Sequence, residues 1–247
     1  VQVLDDIESL NRRAREGELE VTAVSIHAWA YLADRYGLLS CGASMGDGYG
    51  PRIVSREPMT RDDLRATRIA VPGTLTSAFL ALGLWMDGPF EHTVVPFDRI
   101  PDAVGAGEVD AGVLIHEGQL TYAKRGLHLV ADLGAWWKER TDGLPLPLGG
   151  NAVRRDLDRA LIAEASRLLE ASIRCALDNR EEALAYALDF ARELSGDRGL
   201  SDEFVGMYVN HWTLDYGDAG RESIRGFLEE GHRAGLVETV PEITFLP

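Results

Sequence analysis

The chain has 247 residues, of which 45% are hydrophobic and 26% charged, and its formal net charge is −15. This composition is typical of a globular protein that is long enough for one large domain or two lobes. With 40 acidic and 25 basic residues and no cluster of Lys and Arg, the sequence argues against nucleic acid as a partner. An anionic substrate would therefore need local dipoles and hydrogen-bond donors.

No apolar run approaches the ~18 residues of a membrane span, and no signal peptide is visible. Cys41 and Cys175 are too few for a disulfide framework, so we expect two reduced thiols in a cytosolic protein. No pair among the 6 histidines has the spacing of zinc ligands, and the sequence predicts no metal site.

The first third of the chain predicts short, alternating elements. Residues 1–4 read as a strand fragment, and a helix capped by the aspartates that follow runs to Gly17. A strand is predicted over 21–24, and Ser25 opens a second helix. The glycine-rich stretch 42–51 then reads as a loop that leads into a strand. This loop lacks the Gly-Lys-Ser/Thr ending of a phosphate-binding loop, and its glycines either approach a ligand or simply allow a turn.

The middle of the chain has a βαβαβ pattern, which implies a parallel sheet. The predicted elements are a strand at 68–72, a helix at 76–86, a strand at 92–96, a helix near 99–107 and a strand at 109–115. A further strand is expected at 127–130. Leucines alternate with prolines over 144–150, which favours an extended crossing between lobes. From residue 156 the apolar spacing is helical, with segments near 157–169, 183–191, 202–212 and 219–234.

This order predicts an α/β protein of two lobes, in which the first lobe is discontinuous. Lobe I comprises residues 1–66 and 149–247, and lobe II comprises residues 67–148. A ligand would bind in the cleft between the lobes, where two-lobed proteins of this kind place their sites.

His116 is the candidate general base. It follows a short apolar strand, and the carboxyl ends of strands in open α/β sheets are where ligands bind. Imidazole is also the side chain best suited to moving protons near neutral pH. A lone histidine can equally be structural, and both interpretations stay open at this point. The other five histidines lack this context and are interpreted as structural or surface groups.

Two helix starts are candidate anion sites. Thr76 and Ser77 lie where the strand at 68–72 turns through Gly73 into a helix, and unpaired backbone N–H groups with hydroxyls suit a carboxylate. The same hydroxyls could serve only as helix caps. Ser25 lies at a second helix start and allows the same two interpretations, anion site or helix cap. Considered alone, it is more simply interpreted as an N-cap.

Four segments together resemble one family. They are VPGTLTSAFL at 71–80, DAGVLIHE at 110–117, GLHLVADLGAWWKE at 126–139 and LPLPLGGNAVRRDL at 144–157. They resemble the 1,4-dihydroxy-6-naphthoate synthases of the futalosine route to menaquinone, and the resemblance covers most of the chain. Chorismate dehydratase, a relative from the same pathway, resembles the chain less well.

The resemblance implies a type II periplasmic-binding-protein-like fold, used in the cytoplasm as a cofactor-independent lyase on a small anionic substrate, cyclic dehypoxanthine futalosine. It implies that His116 is the base, and that Thr76 and Ser77 contact the substrate from one lobe. Val24, Ser25 and Ile26 would do so from the other lobe. The family also has an opening strand and a Ser-Pro-Cys-Pro-Asn-Asp-like loop, and the printed sequence starts after them. The resemblance implies no bound metal and no nucleic acid or membrane as a partner, and it leaves open whether the protein forms a homodimer. The alternative from another class is a solute-binding protein that performs no chemistry.

Overall fold

The computed structural model describes residues 3–188 and 198–247, which form two lobes around two five-stranded sheets. The strands are β1 (Val21–Ser25), β2 (Tyr36–Leu39), β3 (Ser44–Gly46), β4 (Arg52–Ser55), β5 (Arg68–Val71), β6 (Glu91–Val94), β7 (Ala111–Leu114), β8 (His128–Asp132), β9 (Leu146–Arg154) and β10 (Phe245–Leu246).

The helices lie between these strands and after β9. In the described residues they are α1 (Ile7–Glu16), α2 (Ile26–Trp29), α3 (Arg61–Leu64), α4 (Ser77–Met86), α5 (Ile100–Ala106), α6 (Gly118–Thr121), α7 (Leu133–Arg140), α8 (Arg159–Asp178), α9 (Arg180–Leu188), α10 (Arg198–Tyr208), α11 (His211–Leu214) and α12 (Gly217–Arg233). Two 3-10 turns, at Phe97–Arg99 and Tyr122–Arg125, complete the described elements.

The first sheet is organised around β9, the longest strand. The strand order is β1-β9-β2-β10, and β3 also pairs with β9. β1, β2 and β3 all run antiparallel to β9, whereas β10 is parallel to β2. β9 pairs with three strands from the first 46 residues, so this sheet combines segments that are far apart in the chain.

The second sheet has the order β6-β5-β7-β4-β8. β5 is parallel to both β6 and β7, which confirms the parallel βαβαβ unit. β4 pairs antiparallel with β7 and β8, so residues 52–55 belong to the second sheet. The expectation that lobe I extends to residue 66 is wrong for this strand, because its backbone hydrogen bonds are made in lobe II.

The chain crosses between the sheets twice. The first crossing lies between β3 and β4, at residues 47–51, and the second lies between α7 and β9, at residues 141–145. The second crossing is shorter than the extended segment predicted over 144–150, because Leu146 already begins β9 in the first sheet.

Several predicted elements differ in length. Residues 3–4 form no strand, and residues 1–2 lie outside the described part of the chain. The helix after Ser25 has only four residues. Of the helical segment predicted over 183–191, residues 183–188 lie in α9 and the rest falls outside the described residues. The helix predicted over 202–212 is two helices, separated at Asn210, which caps α11 through its side chain.

The main core joins the two lobes. Trp29, Tyr36, Trp137 and Phe227 are fully buried in one cluster that draws residues from both sheets. Trp136 is partly buried and packs against this cluster. None of the described helices combines the length and apolar character needed to cross a membrane.

Candidate active site

A cavity of about 210 Å3 lies between the lobes and is lined by strands of the first sheet and by the start of α4 and the turn after β7 from the second lobe. It brings together five of the six predicted site residues: Val24, Ser25, Thr76, Ser77 and His116. Ile26, the sixth, does not line this cavity and is fully buried in the core. The predicted interlobe cleft therefore holds nearly all of the residues that the sequence selected.

His116 enters the cavity from the end of β7. The strand ends at Leu114, and His116 adopts a φ of 53°. Non-glycine residues adopt this left-handed conformation uncommonly, and such strained backbone tends to occur at functional sites. The imidazole ring lies between two aromatic rings, with centroid distances of 4.8 Å to Phe97 and 6.1 Å to Tyr208. The His116 ring thus packs against aromatic side chains just beyond the carboxyl end of β7.

The hydroxyls of Thr76 and Ser77 are engaged by the protein. Thr76 Oγ1 caps α4 by accepting from Phe79 N at 3.1 Å, and it donates to Gly73 O at 2.8 Å. Ser77 Oγ accepts from His27 N at 3.2 Å and donates to Leu148 O at 2.6 Å.

Both side chains are only 2% exposed. Each hydroxyl proton already has a protein acceptor in this structure, and the expected contact of this hydroxyl pair with a carboxylate stays a prediction.

The first two backbone amides of the same helix, unlike the hydroxyls, have no protein partner among the described residues. Ser77 and Ala78 are the first two residues of α4, and both line the cavity. Within the described residues, neither amide donates a hydrogen bond to a protein acceptor. The first N–H groups of a helix have no intrahelical partner, and the helix dipole there favours negative charge. At the helix start where the sequence predicted an anion site, the groups without a protein partner are thus backbone amides.

Ser25 faces the cavity from β1. It is the N-cap of α2, but its side chain makes no capping hydrogen bond. Instead, Asn11 holds it through two buried hydrogen bonds, from Ser25 N to Asn11 Oδ1 at 2.9 Å and from Asn11 Nδ2 to Ser25 Oγ at 3.0 Å. Since the hydroxyl oxygen accepts here, its proton stays available to a ligand. Ser25 therefore occupies the N-cap position that the sequence indicated, but its side chain bonds Asn11 and does not cap the helix.

His27 is a structural histidine, as interpreted from the sequence. Its Nδ1 lies 3.2 Å from Thr76 O, and its backbone N–H supports Ser77. Burial lowers the pKa of His27 below its ordinary value. The neutral ring thus packs α2 against the start of α4 and helps to fix the amides that face the cavity.

Sequence reasoning missed three polar residues of the cavity: Ser44, Asn151 and Tyr208. The Ser44 hydroxyl is buried and has no hydrogen-bond partner among the described residues. Gly42, with a φ of 86°, leaves room for Asn151, because a Cβ there would meet the Asn151 amide nitrogen at 2.1 Å. This glycine of the loop therefore lets the backbone lie close to a neighbouring side chain. The sequence alone left open whether the glycines approach a ligand or allow a turn.

The cavity lining carries no Lys, Arg, Asp or Glu side chain among the described residues. Any negative charge on a ligand would consequently be met by backbone and hydroxyl dipoles. In the described ranges, no group of three or more His, Cys, Asp or Glu side chains could hold a metal ion.

A larger groove of about 790 Å3 lies elsewhere, between α4, α7 and α12. It contains none of the predicted site residues. Two of its arginines lie over tryptophans, Arg61 over Trp85 and Arg140 over Trp136. His116 and the other predicted site residues of the cavity thus line the smaller space between the lobes and not this larger groove.

Solved structures define the class of this fold. The periplasmic aliphatic sulphonate binding protein of Escherichia coli matches with a TM-score of 0.62 and 14% identity, over 96% of this chain and 77% of that chain. A protein from Archaeoglobus fulgidus matches with a TM-score of 0.90 and 47% identity, over 95% of this chain and 86% of that chain. The architecture is thus that of the two-lobed, periplasmic-binding-protein-like proteins.

The sequence comparisons identify the family within that class. Residues 1–233 match the family described as menaquinone biosynthesis. The 1,4-dihydroxy-6-naphthoate synthase of Thermus thermophilus is 43% identical over 99% of this chain and 88% of its own length. The enzyme of that name from Streptomyces coelicolor is 40% identical over 94% of this chain and 82% of its own length. The chain belongs to the menaquinone biosynthesis family, and its relatives are enzymes.

Proposed function

We propose that this protein is a 1,4-dihydroxy-6-naphthoate synthase, a lyase that fragments cyclic dehypoxanthine futalosine without a cofactor. The names of the two curated relatives support the activity. The observation that carries the proposal is that one small cavity holds both His116 and the unpaired amides at the start of α4. A base opposite an anion site is what proton abstraction from a small acid requires.

His116 is the proposed general base. It removes a proton from the bound substrate and so starts a fragmentation in which the product ring becomes aromatic. The two rings that flank the imidazole restrict its rotation, and a base that is already oriented loses little entropy in the reaction. General base catalysis typically contributes about 10²–10⁴-fold, and orientation within the cavity would supply much of the rest.

The amides of Ser77 and Ala78 are the proposed carboxylate site. With a net charge of −15, the protein repels anions at long range, so the carboxylate must be held by short-range dipoles. The helix start supplies them, and the Ser25 hydroxyl contributes a donor from the opposite lobe. These contacts from both lobes hold the bound substrate in a fixed orientation, with its reacting end toward His116.

The test is a mass-spectrometric assay of the purified protein with two candidate substrates in separate reactions, cyclic dehypoxanthine futalosine and chorismate. We expect loss of cyclic dehypoxanthine futalosine and formation of 1,4-dihydroxy-6-naphthoate, with chorismate unchanged. Dehydration of chorismate would instead identify the related dehydratase. Tight binding of a small anion with no turnover of either compound would identify a solute-binding protein. We propose a cytoplasmic location and a small anionic substrate as the only obligatory partner, and a homodimer is compatible with this mechanism.

A further inference from the structure

We propose that Gln119 is a positioning residue that holds His116 against helix α10. The proposal rests on the function proposed above, because it concerns how that base is fixed. Gln119 lies in α6, three residues after His116, and its side chain is only 1% exposed. A buried amide must have its hydrogen bonds satisfied, so its partners show what it holds in place.

The partners of Gln119 come from three separate segments. With its oxygen facing the donors, the side-chain amide accepts from Tyr208 Oη at 2.6 Å and from the backbone N of His116 at 3.1 Å. Its nitrogen donates to Gly50 O in the first interlobe crossing. One side chain therefore links the turn that carries the base, helix α10 and the segment that connects the two lobes.

The turn that carries His116 needs such support. A non-glycine residue at a φ of 53° is strained, and strain of this kind persists only where the surroundings impose it. The backbone bond from Gln119 N to His116 O, at 3.2 Å, closes the turn from one side. The bond from His116 N to the Gln119 side chain fixes it from the other. Without the amide, the imidazole would lose its fixed position relative to the anion site.

Tyr208 connects the same network to the cavity. Its ring lines the cavity beside His116, while burial raises the pKa of its phenol group to about 12. The phenol thus stays protonated at neutral pH and donates to Gln119. The end of α10 is in turn fastened to the first crossing, since Tyr49 Oη donates to Met207 O at 2.7 Å. Tyr208 therefore acts on the base through Gln119.

Four variants test the proposal: Gln119→Leu, Tyr208→Phe, the double variant, and Tyr36→Phe as a matched control. Tyr36 donates to Leu19 O at 2.6 Å and does not line the cavity. We expect Gln119→Leu to lower kcat about 30-fold with KM within about threefold, because slight misplacement of a reacting group can cost up to about 100-fold. Tyr208→Phe should lower kcat about fivefold, and the double variant should match Gln119→Leu, since residues acting as a unit are not additive.

A second measurement does not depend on turnover. Amide hydrogen exchange, followed by NMR, reports the bond from His116 N to Gln119. Protection of this amide should fall about tenfold or more in Gln119→Leu and stay unchanged in Tyr36→Phe, because an amide exchanges once its hydrogen bond opens. If the wild-type protein fails to turn over the futalosine but this amide loses protection, the proposed function fails and the positioning role stands.

The proposal is overturned if the His116 amide keeps its protection in Gln119→Leu. It is also overturned if the kinetic loss appears in KM alone, or if the losses of the two single variants multiply. Should Gln119→Leu fail to fold, Tyr208→Phe decides: an equal loss of kcat in Tyr208→Phe and Tyr36→Phe would contradict the proposal.

Discussion

Ser77→Ala should reduce stability while leaving substrate affinity nearly unchanged. The Ser77 hydroxyl makes two hydrogen bonds, with His27 N and with Leu148 O. Its removal leaves a buried donor and a partly buried acceptor unpaired, and each unsatisfied group costs about 1–3 kcal/mol. We therefore expect a loss of about 3 kcal/mol, which lowers the Tm of a protein of this size by about 6–12 °C. KM should stay within about threefold, because backbone amides hold the carboxylate.

Ser223→Ala is the matched control for this prediction. Ser223 Oγ also makes two bonds, accepting from Trp137 Nε1 at 3.0 Å and donating to Pro145 O at 2.6 Å. It is fully buried and does not line the cavity. Thermal unfolding and steady-state kinetics on both variants should give similar losses of Tm and unchanged KM. A KM raised more than about tenfold in Ser77→Ala alone would show that the hydroxyl binds the substrate, and the reasoning would be wrong.

Three further changes have defined outcomes. Burial raises the pKa of the Glu8 carboxyl, and its Oε2 has no partner among the described residues. The contribution of Glu8 to the stability of the folded state is therefore complete below the ordinary carboxyl pKa of 4.5. It is lost as pH rises through the raised pKa of the folded state. Glu8→Gln should therefore raise Tm at pH 7 and leave it unchanged near pH 4, and a Tm difference independent of pH would contradict this. Thr76→Val should cost about 2–3 kcal/mol, because it removes the helix cap and also takes the hydroxyl donor away from the buried Gly73 O; a raised KM at unchanged stability would argue against the capping role. Asn11→Ala should raise KM severalfold as well as lower Tm, because Asn11 holds Ser25 toward the cavity; an unchanged KM would remove Ser25 from the substrate site.

The site elements that the sequence predicted best are those determined by local signals. The start of α4 at Thr76 follows from a strand, a turn and a capping hydroxyl, and the structure has this cap. The position of His116 follows from the short apolar run before it, which forms a fully buried strand. The parallel pairing of β5 with β6 and β7 follows from the alternation of strands and helices.

The remaining features depend on contacts between distant segments. Nothing near residues 52–55 indicates that β4 pairs with β7 and β8 rather than with the first sheet. The use of the Ser77 hydroxyl depends on where Leu148 lies, and that carbonyl comes from the other lobe. Tyr208 has the helical spacing of an ordinary packing residue, and only the tertiary fold brings it beside His116. Local pattern therefore placed His116 and the start of α4 in the cavity, but it did not identify the groups that hold them there.

The most direct test of the central claim is the turnover of cyclic dehypoxanthine futalosine by His116→Asn, measured together with substrate binding. Asparagine keeps a hydrogen-bonding group but cannot accept the proton at neutral pH. We predict that kcat falls by about 10²–10⁴-fold, the usual contribution of a general base, while the Kd for substrate stays within about tenfold. If the variant retains more than about a tenth of the wild-type kcat, His116 is not the base and the proposed mechanism is wrong.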